Sequence, residues 1–283
     1  MSAPMGILIL LISYFIPCTT PRHSGRCCPR NRFGCSMAVA NLYGTDMKTT
    51  DLAALNTARR NGKPTLLITD IDSGAQTLVI DGAANGDIAV TGAVAAAIER
   101  ARAEDRSRLA QIEGRRLFVQ IFNPPRRLIV VGAVHIAQPL VPMARLAGYA
   151  VTLIDPRGAW ATPERFPDVE IDRRWPDAAL EGLAPDSRTA VVTLTHDPKL
   201  DDPALCVALK SNAFYIGALG GRKTSASRAV RLAEMGFGPA DFARINGPVG
   251  LDIGAISPAE IAVSIVAELT QSLHRPGKKQ AAS

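Results

Sequence analysis

Apolar residues along this chain are spaced in two ways, and the spacing changes near residue 124. In the first stretch, residues 65–69 (TLLIT) and 76–80 (QTLVI) are short strand-like runs. Asp72, Ser73 and Gly74 between them supply turn chemistry, so residues 63–81 predict a β-hairpin. Residues 89–103 are rich in alanine and set Val90, Val94, Ile98 and Ala101 on one helical face. Residues 116–121 read as another strand, after which Pro124 and Pro125 break the chain. Upstream, Thr50 or Asp51 can cap a helix running to Arg60. Residues 47–123 therefore predict a small α+β domain.

Beyond Arg127 the strands become wholly apolar and alternate with helices. The predicted strands are LIVVG (128–132), AVTLID (150–155), TAVVTLT (189–195) and AFYIGAL (213–219). Helices are expected over 136–147, 200–210 and 224–235. A strand apolar on both sides needs cover on both faces, which a doubly wound parallel sheet provides. Ser257-Pro258-Ala259-Glu260 forms a capping box, and Ile261, Ile265, Leu269 and Leu273 behind it make a helical stripe that closes the core. The fold class is thus α/β, a Rossmann-like sheet of the NAD(P)-binding type over residues 124–283, preceded by the smaller α+β domain.

Residues 1–46 fit neither pattern. Residues 5–16 (MGILILLISYFI) are an apolar run too short to span a bilayer as a helix. No positive charge precedes the run and no clean cleavage pattern follows it. Met47 opens what looks like the natural start of a soluble protein. Three readings compete: a start assigned upstream of Met47, a membrane or export leader, and a disordered extension.

The net charge of +6 raises nucleic-acid binding, but its location argues against it. Arg22, Arg26, Arg30 and Arg32 against Asp46 make the first 46 residues +3, and Arg275, Lys278 and Lys279 make the tail +3. The body between is formally neutral and offers no basic face to a phosphate backbone. Four of the five cysteines (Cys18, Cys27, Cys28, Cys35) sit in the head and only Cys206 in the body, so the body reads as cytoplasmic and reduced. The head cluster lacks regular metal-ligand spacing, and no metal site is assigned.

Candidate chemistry lies in the turns after the strands. The first reads Gly132-Ala133-Val134-His135-Ile136-Ala137. Against G-x-G-x-x-G/A it keeps the first glycine and the last small residue, but Val134 replaces the glycine that lets a pyrophosphate touch the backbone. Asp155 ends the next strand, where a carboxylate commonly holds ribose hydroxyls. The alternative is a turn-capping role before Pro156. Thr195, His196 and Asp197 follow the third strand. In the common strand order they face His135 across the switch point, so two imidazoles and a carboxylate would share one crevice. Gly217, Gly220 and Gly221 lead into Arg222 and Lys223, a glycine turn with two cations that suits an anion. The alternative there is a flexible turn. Cys206, between Leu205 and Val207, reads as a core residue. No nucleophile–base–orienter triad is present, so no catalytic residue is assigned.

Five segments carry a resemblance: RRLIVVGAVHIA, GYAVTLIDPRGAWATPERFP, VVTLTHDPKLDDPAL, FYIGALGGRKT and GPVGLDIGAISPAEIAVSIVAE. In this order, across about residues 118–274, they resemble the xanthine dehydrogenase accessory factor (XdhC/CoxI) family. The resemblance implies a Rossmann domain appended to a small α/β domain, often as a homodimer. It also implies a chaperone-like maturation role. Such proteins bind molybdenum cofactor (molybdopterin), support its sulfuration with a cysteine desulfurase, and pass it to an apo molybdenum hydroxylase acting on xanthine, aldehydes or carbon monoxide. A nucleotide, NAD(P) or FAD, is the other candidate ligand, and a nicotinamide- or flavin-dependent oxidoreductase the alternative function. A third reading is a membrane-tethered module held by residues 5–16. The chain departs from the family pattern at Val134 and Gly221, usually glycine and serine, and at Ser225 and Asn246, where histidines are frequent. Its small domain also lacks a glycine-glycine-cysteine motif. These departures leave the fold intact and count against tight dinucleotide binding and direct handling of sulfur.

Overall fold

The computed structural model describes residues 47–275. The three readings of the head, its four cysteines, and the basic tail beyond Arg275 lie outside the described residues. Residues from Thr45 onward belong to one compact unit, which contains two sheets.

The first sheet is antiparallel. Helix α1 (Thr49–Arg60) precedes β1 (Thr65–Asp70) and β2 (Gln76–Ile80), which pair as the expected hairpin. After β3 (Ala83–Gly86) comes α2 (Gly92–Glu104), then β4 (Arg108–Ile112) and β5 (Arg115–Phe122). The strand order is β3-β2-β1-β5-β4, with β1 at the centre and buried throughout. Val94, Ile98 and Ala101 of α2 pack with Leu66, Ile68, Leu117 and Val119. Three details differ from expectation. Helix α1 starts at Thr49 with Lys48 as its cap, so neither Thr50 nor Asp51 caps it. Val90 lies before α2 but still packs on the same core. Strands β3 and β4 were not expected: β3 (AANG) is fully exposed and has no apolar alternation to announce it.

The second sheet is parallel. Its strands are β6 (Arg126–Val131), β7 (Tyr149–Ile154), β8 (Glu170–Asp172), β9 (Thr189–Thr193), β10 (Tyr215–Ala218) and β11 (Ile245–Asn246). They lie in the order β11-β10-β9-β6-β7-β8. Counted from β6, that is the 3-2-1-4-5-6 arrangement of a Rossmann sheet, with its reversal of direction between β6 and β9. Helices α3 (Ala137–Leu146) and α8 (Pro258–His274) cover one face. Helices α4 (Pro176–Leu183), α5 (Pro198–Lys210) and α6 (Arg222–Glu234) cover the other. The short α7 (Pro239–Phe242) leads into β11.

Alternation of burial explains why the strands had to be apolar on both sides. Leu128 and Val130 of β6 face the α3/α8 layer, while Ile129 and Val131 face the α4/α5/α6 layer. The capping box forms as expected: Ser257 Oγ accepts from Glu260 N–H, and Glu260 accepts from Ser257 N–H at 2.8 Å. Ile265 and Leu269 of α8 are fully buried. Strand β8 and helix α4 escaped prediction, because β8 is an edge strand reading EID with no apolar run. Among the described residues no helix is long and apolar enough to cross a membrane.

Candidate functional site at the carboxyl edge of the parallel sheet

Four turns meet at the carboxyl edge: those after β6, β7, β9 and β10. Strands β6 and β9 are hydrogen-bonded neighbours, so the turns carrying His135 and His196 flank the switch point, where open α/β sheets bind ligands. Both imidazoles are exposed. The two turns also touch. Gly132 has φ +111°, and a Cβ there would lie 2.5 Å from Thr195 Cγ2, so this glycine is what allows the β6 turn to approach the β9 turn.

The β9 turn is pinned from below. Asp201, in the first turn of α5 and 2% exposed, accepts Thr195 Oγ1–H at 2.6 Å and the N–H groups of Thr195 and His196 at 3.3 and 3.1 Å. These bonds hold His196 at φ +60°, a left-handed conformation that costs a non-glycine residue energy unless its surroundings fix it. Burial pushes the Asp201 carboxyl above the ordinary aspartate range, against the opposing pull of the Thr195 bonds and the Arg228 charge. Asp197 caps α5 by accepting Lys199 N–H at 3.0 Å.

Of the two readings of Asp155, its hydrogen bonds fit the turn cap. It is fully buried, and both carboxylate oxygens are engaged. Oδ2 accepts Ala133 N–H at 2.7 Å and Arg157 Nη2–H at 2.8 Å, and Oδ1 accepts the Arg157 N–H and Nε–H, both at 2.9 Å. Burial alone would raise its pKa, but the Arg157 guanidinium and the two backbone N–H groups outweigh it and hold the carboxyl below its usual range. The side chain thus fastens the β6 turn to the β7 turn and offers no oxygen to a ribose. What the β7 turn presents instead is Arg157, with the exposed ring of Trp160 stacked against its guanidinium at 5.4 Å.

The remaining expected residues separate into two groups. Gly220, Gly221, Arg222 and Lys223 form the β10–α6 turn: Gly220 is buried with φ +130°, Gly221 is the α6 N-cap and carries no capping side chain, and both cations are exposed. Gly217 and Val134 point elsewhere. Gly217 lies inside β10, and its missing side chain makes room for Val249 Cγ2 and Tyr215, at 2.6 and 2.8 Å from a would-be Cβ. Val134 is half-buried and packs against the apolar core on the α3/α8 side. Sequence reasoning missed Arg157, Asp201 and Arg228. The first two carried a faint signal, as charged residues two and four places beyond turn aspartates. Arg228 sits mid-helix like a surface residue yet is 3% exposed. Among the described residues no three His, Cys, Asp or Glu side chains cluster as a metal site would require.

Fold and edge together define a protein of the Rossmann class whose carboxyl edge presents imidazoles and guanidinium groups. Residues 128–269 match the XdhC Rossmann domain, and the chain belongs to that family. It is 36% identical over 160 residues to a probable xanthine dehydrogenase subunit of Bacillus subtilis (strain 168), covering 56% of this chain and 46% of that one. It is 30% identical over 148 residues to the molybdenum cofactor insertion chaperone PaoD of Escherichia coli (strain K12), covering 52% of this chain and 40% of that one. The chain spans less than half the length of these curated relatives. Among solved structures it is similar to a xanthine dehydrogenase from Bacillus halodurans, with a TM-score of 0.63 and 28% identity over 84% of this chain and 68% of that one.

Proposed function

We propose that this protein is a maturation factor that binds molybdenum cofactor and delivers it to an apo molybdenum hydroxylase. The observation that carries the reading is the placement of the turns bearing His135 and His196 after the hydrogen-bonded neighbours β6 and β9, at the switch point, in a chain of the XdhC family. Molybdopterin is anionic and phosphate-bearing. Exposed imidazoles and the Arg157 guanidinium supply donors for its polar groups, and the β10–α6 turn with Arg222 and Lys223 supplies a place for its phosphate. The chaperone name of the PaoD relative supports the same role.

Sulfuration of the cargo falls, in this reading, to a cysteine desulfurase partner. Cys206, the one cysteine among the described residues, sits two turns into α5 with its Sγ 3.5 Å from Met235 Sδ, away from the carboxyl edge. We place the protein in the cytoplasm as a homodimer. The alternative, a dinucleotide-dependent oxidoreductase, is disfavoured because Asp155 is spent on Ala133 and Arg157 and because the position of the central fingerprint glycine is Val134.

The test is mass spectrometry of the small molecule released on denaturing protein purified from cells that make molybdenum cofactor. Molybdopterin is expected from the wild type and at several-fold lower occupancy from His135→Ala and His196→Ala, both at exposed positions. Release of a flavin or nicotinamide nucleotide, or equal molybdopterin occupancy in all three proteins, would overturn the proposal.

A further inference from the structure

Three buried donors beside the start of α6 have no partner. Arg228 is 3% exposed, and its Nη2–H is donated to Leu219 O at 2.8 Å, which sets the guanidinium against the β10–α6 turn. Its Nε and Nη1 bond to nothing, and neither does the buried Oγ of Ser225 one turn earlier. These groups converge. The position a Cβ would take at Gly247 lies 3.1 Å from Ser225 Oγ and 3.8 Å from Arg228 Nη1, so both border the same glycine of the loop after β11. A buried donor without a partner has lost its water and gained nothing in return, a cost that a ligand able to accept those bonds would remove.

The charges around this point call for an anion. The nearby carboxylates are already committed: Asp202 pairs with Arg231, and Asp201 accepts from Thr195 and His196. Burial depresses the Arg228 pKa even with Asp201 and Asp202 in range. The first turn of α6 contains no acid and begins Arg222-Lys223, so cations stand where the helix dipole is already positive. Gly221 as N-cap brings no side chain to the first N–H groups of this 13-residue helix.

We propose that the start of α6, Ser225 and Arg228 form a binding site for a phosphate group, either free or at the end of a phosphomonoester. Arg228 Nε and Nη1 and Ser225 Oγ–H donate to its oxygens, and the open end of the helix supplies further N–H donors and a favourable field. Gly247 brings no side chain between Ser225 and Arg228. The site lies one strand over from the histidine crevice, on β10 rather than β6 or β9. It rests on the proposed cofactor role only for the identity of the molecule that carries the phosphate there.

The experiment is titration of the full chain with inorganic phosphate, against chloride at equal ionic strength, followed by the thermal midpoint and by calorimetry. Saturating phosphate is expected to raise the midpoint by about 2–4 °C. Ser225→Asp places a carboxylate beside Arg228 in the first turns of α6. It should raise the midpoint without phosphate and weaken phosphate binding at least tenfold. Arg228→Lys should also weaken binding about tenfold, and should it fail to fold, Ser225→Asp decides alone. No phosphate response in the wild type, or an equal response in Ser225→Asp, overturns the site. A phosphate response confined to the intact site in a protein that retains no molybdopterin upholds the site and refutes the cofactor role. Retained molybdopterin without a phosphate response does the reverse.

Discussion

The carboxylate of Asp201 accepts the backbone N–H of His196 at 3.1 Å, so a buried acid on α5 fixes the conformation of an exposed imidazole one turn away. The same carboxylate takes the Thr195 hydroxyl, and Thr195 in turn packs against Gly132 of the first turn. The two turns that carry the histidines are therefore seated on one buried group.

Asp201→Asn should show that dependence through pH. A carboxyl whose pKa is higher in the fold than in the unfolded chain favours the protonated native state. Its ionisation therefore weakens the fold as pH rises from about 3.9 through the raised value. Asparagine cannot accept the His196 N–H through its amide nitrogen, so the variant is expected to be about 1–3 kcal/mol less stable near pH 4. The gap to wild type should narrow toward pH 7, as urea unfolding across that range would read. A gap of constant size would count against the buried-acid account.

Asp155→Asn should behave in the opposite sense. The folded pKa is held below the unfolded one, so the carboxylate contributes stability above about pH 3.9 that is lost as pH falls through the depressed value. The expected deficit is about 1–3 kcal/mol at pH 7 and vanishes in acid. Backbone amide signals of Ala133 and Arg157 should shift in the variant, since both N–H groups lose a charged acceptor.

Gly132→Ala should destabilise the protein by about 1–3 kcal/mol, because the new methyl meets Thr195 Cγ2 and the backbone sits at φ +111°. Thr195→Ser removes that methyl while keeping the hydroxyl that Asp201 holds. A double-mutant cycle is expected to return a coupling above about 0.5 kcal/mol. Strict additivity would mean that the two turns do not touch.

Cys206 should alkylate slowly. Burial raises the pKa of its thiol, which lowers the thiolate fraction at neutral pH. Iodoacetamide labelling of this position, followed by peptide mass spectrometry, should run several-fold slower than labelling of an unstructured thiol and reach the free rate in denaturant. A fast rate in the native protein would reopen a direct role in sulfur handling.

Much of the parallel sheet was legible because its signal is local. Strands β6, β7, β9 and β10 are continuous apolar runs ending near glycine or aspartate, and β8, three residues on an edge, had no such run to show. The histidines were legible for a related reason: a residue just after a strand lies at the carboxyl edge wherever that strand sits. Asp155 stayed open between a ribose holder and a turn cap because its position in sequence says nothing about which neighbours fill its oxygens. Gly217 was grouped with an anion turn although it spaces β10 from Val249, a residue 32 positions later.

The sequence by itself determined the alternation of strands and helices, the class of sheet, and the turns that carry His135, His196 and the α6 cations, since each follows from periodicity within a few residues. Only the tertiary structure decided that Asp155 is consumed by Arg157 and Ala133, that Asp201 holds the His196 turn, and that Arg228 is buried with donors to spare. Those outcomes depend on which groups exclude water from one another, and residues distant along the chain settle that only when they pack.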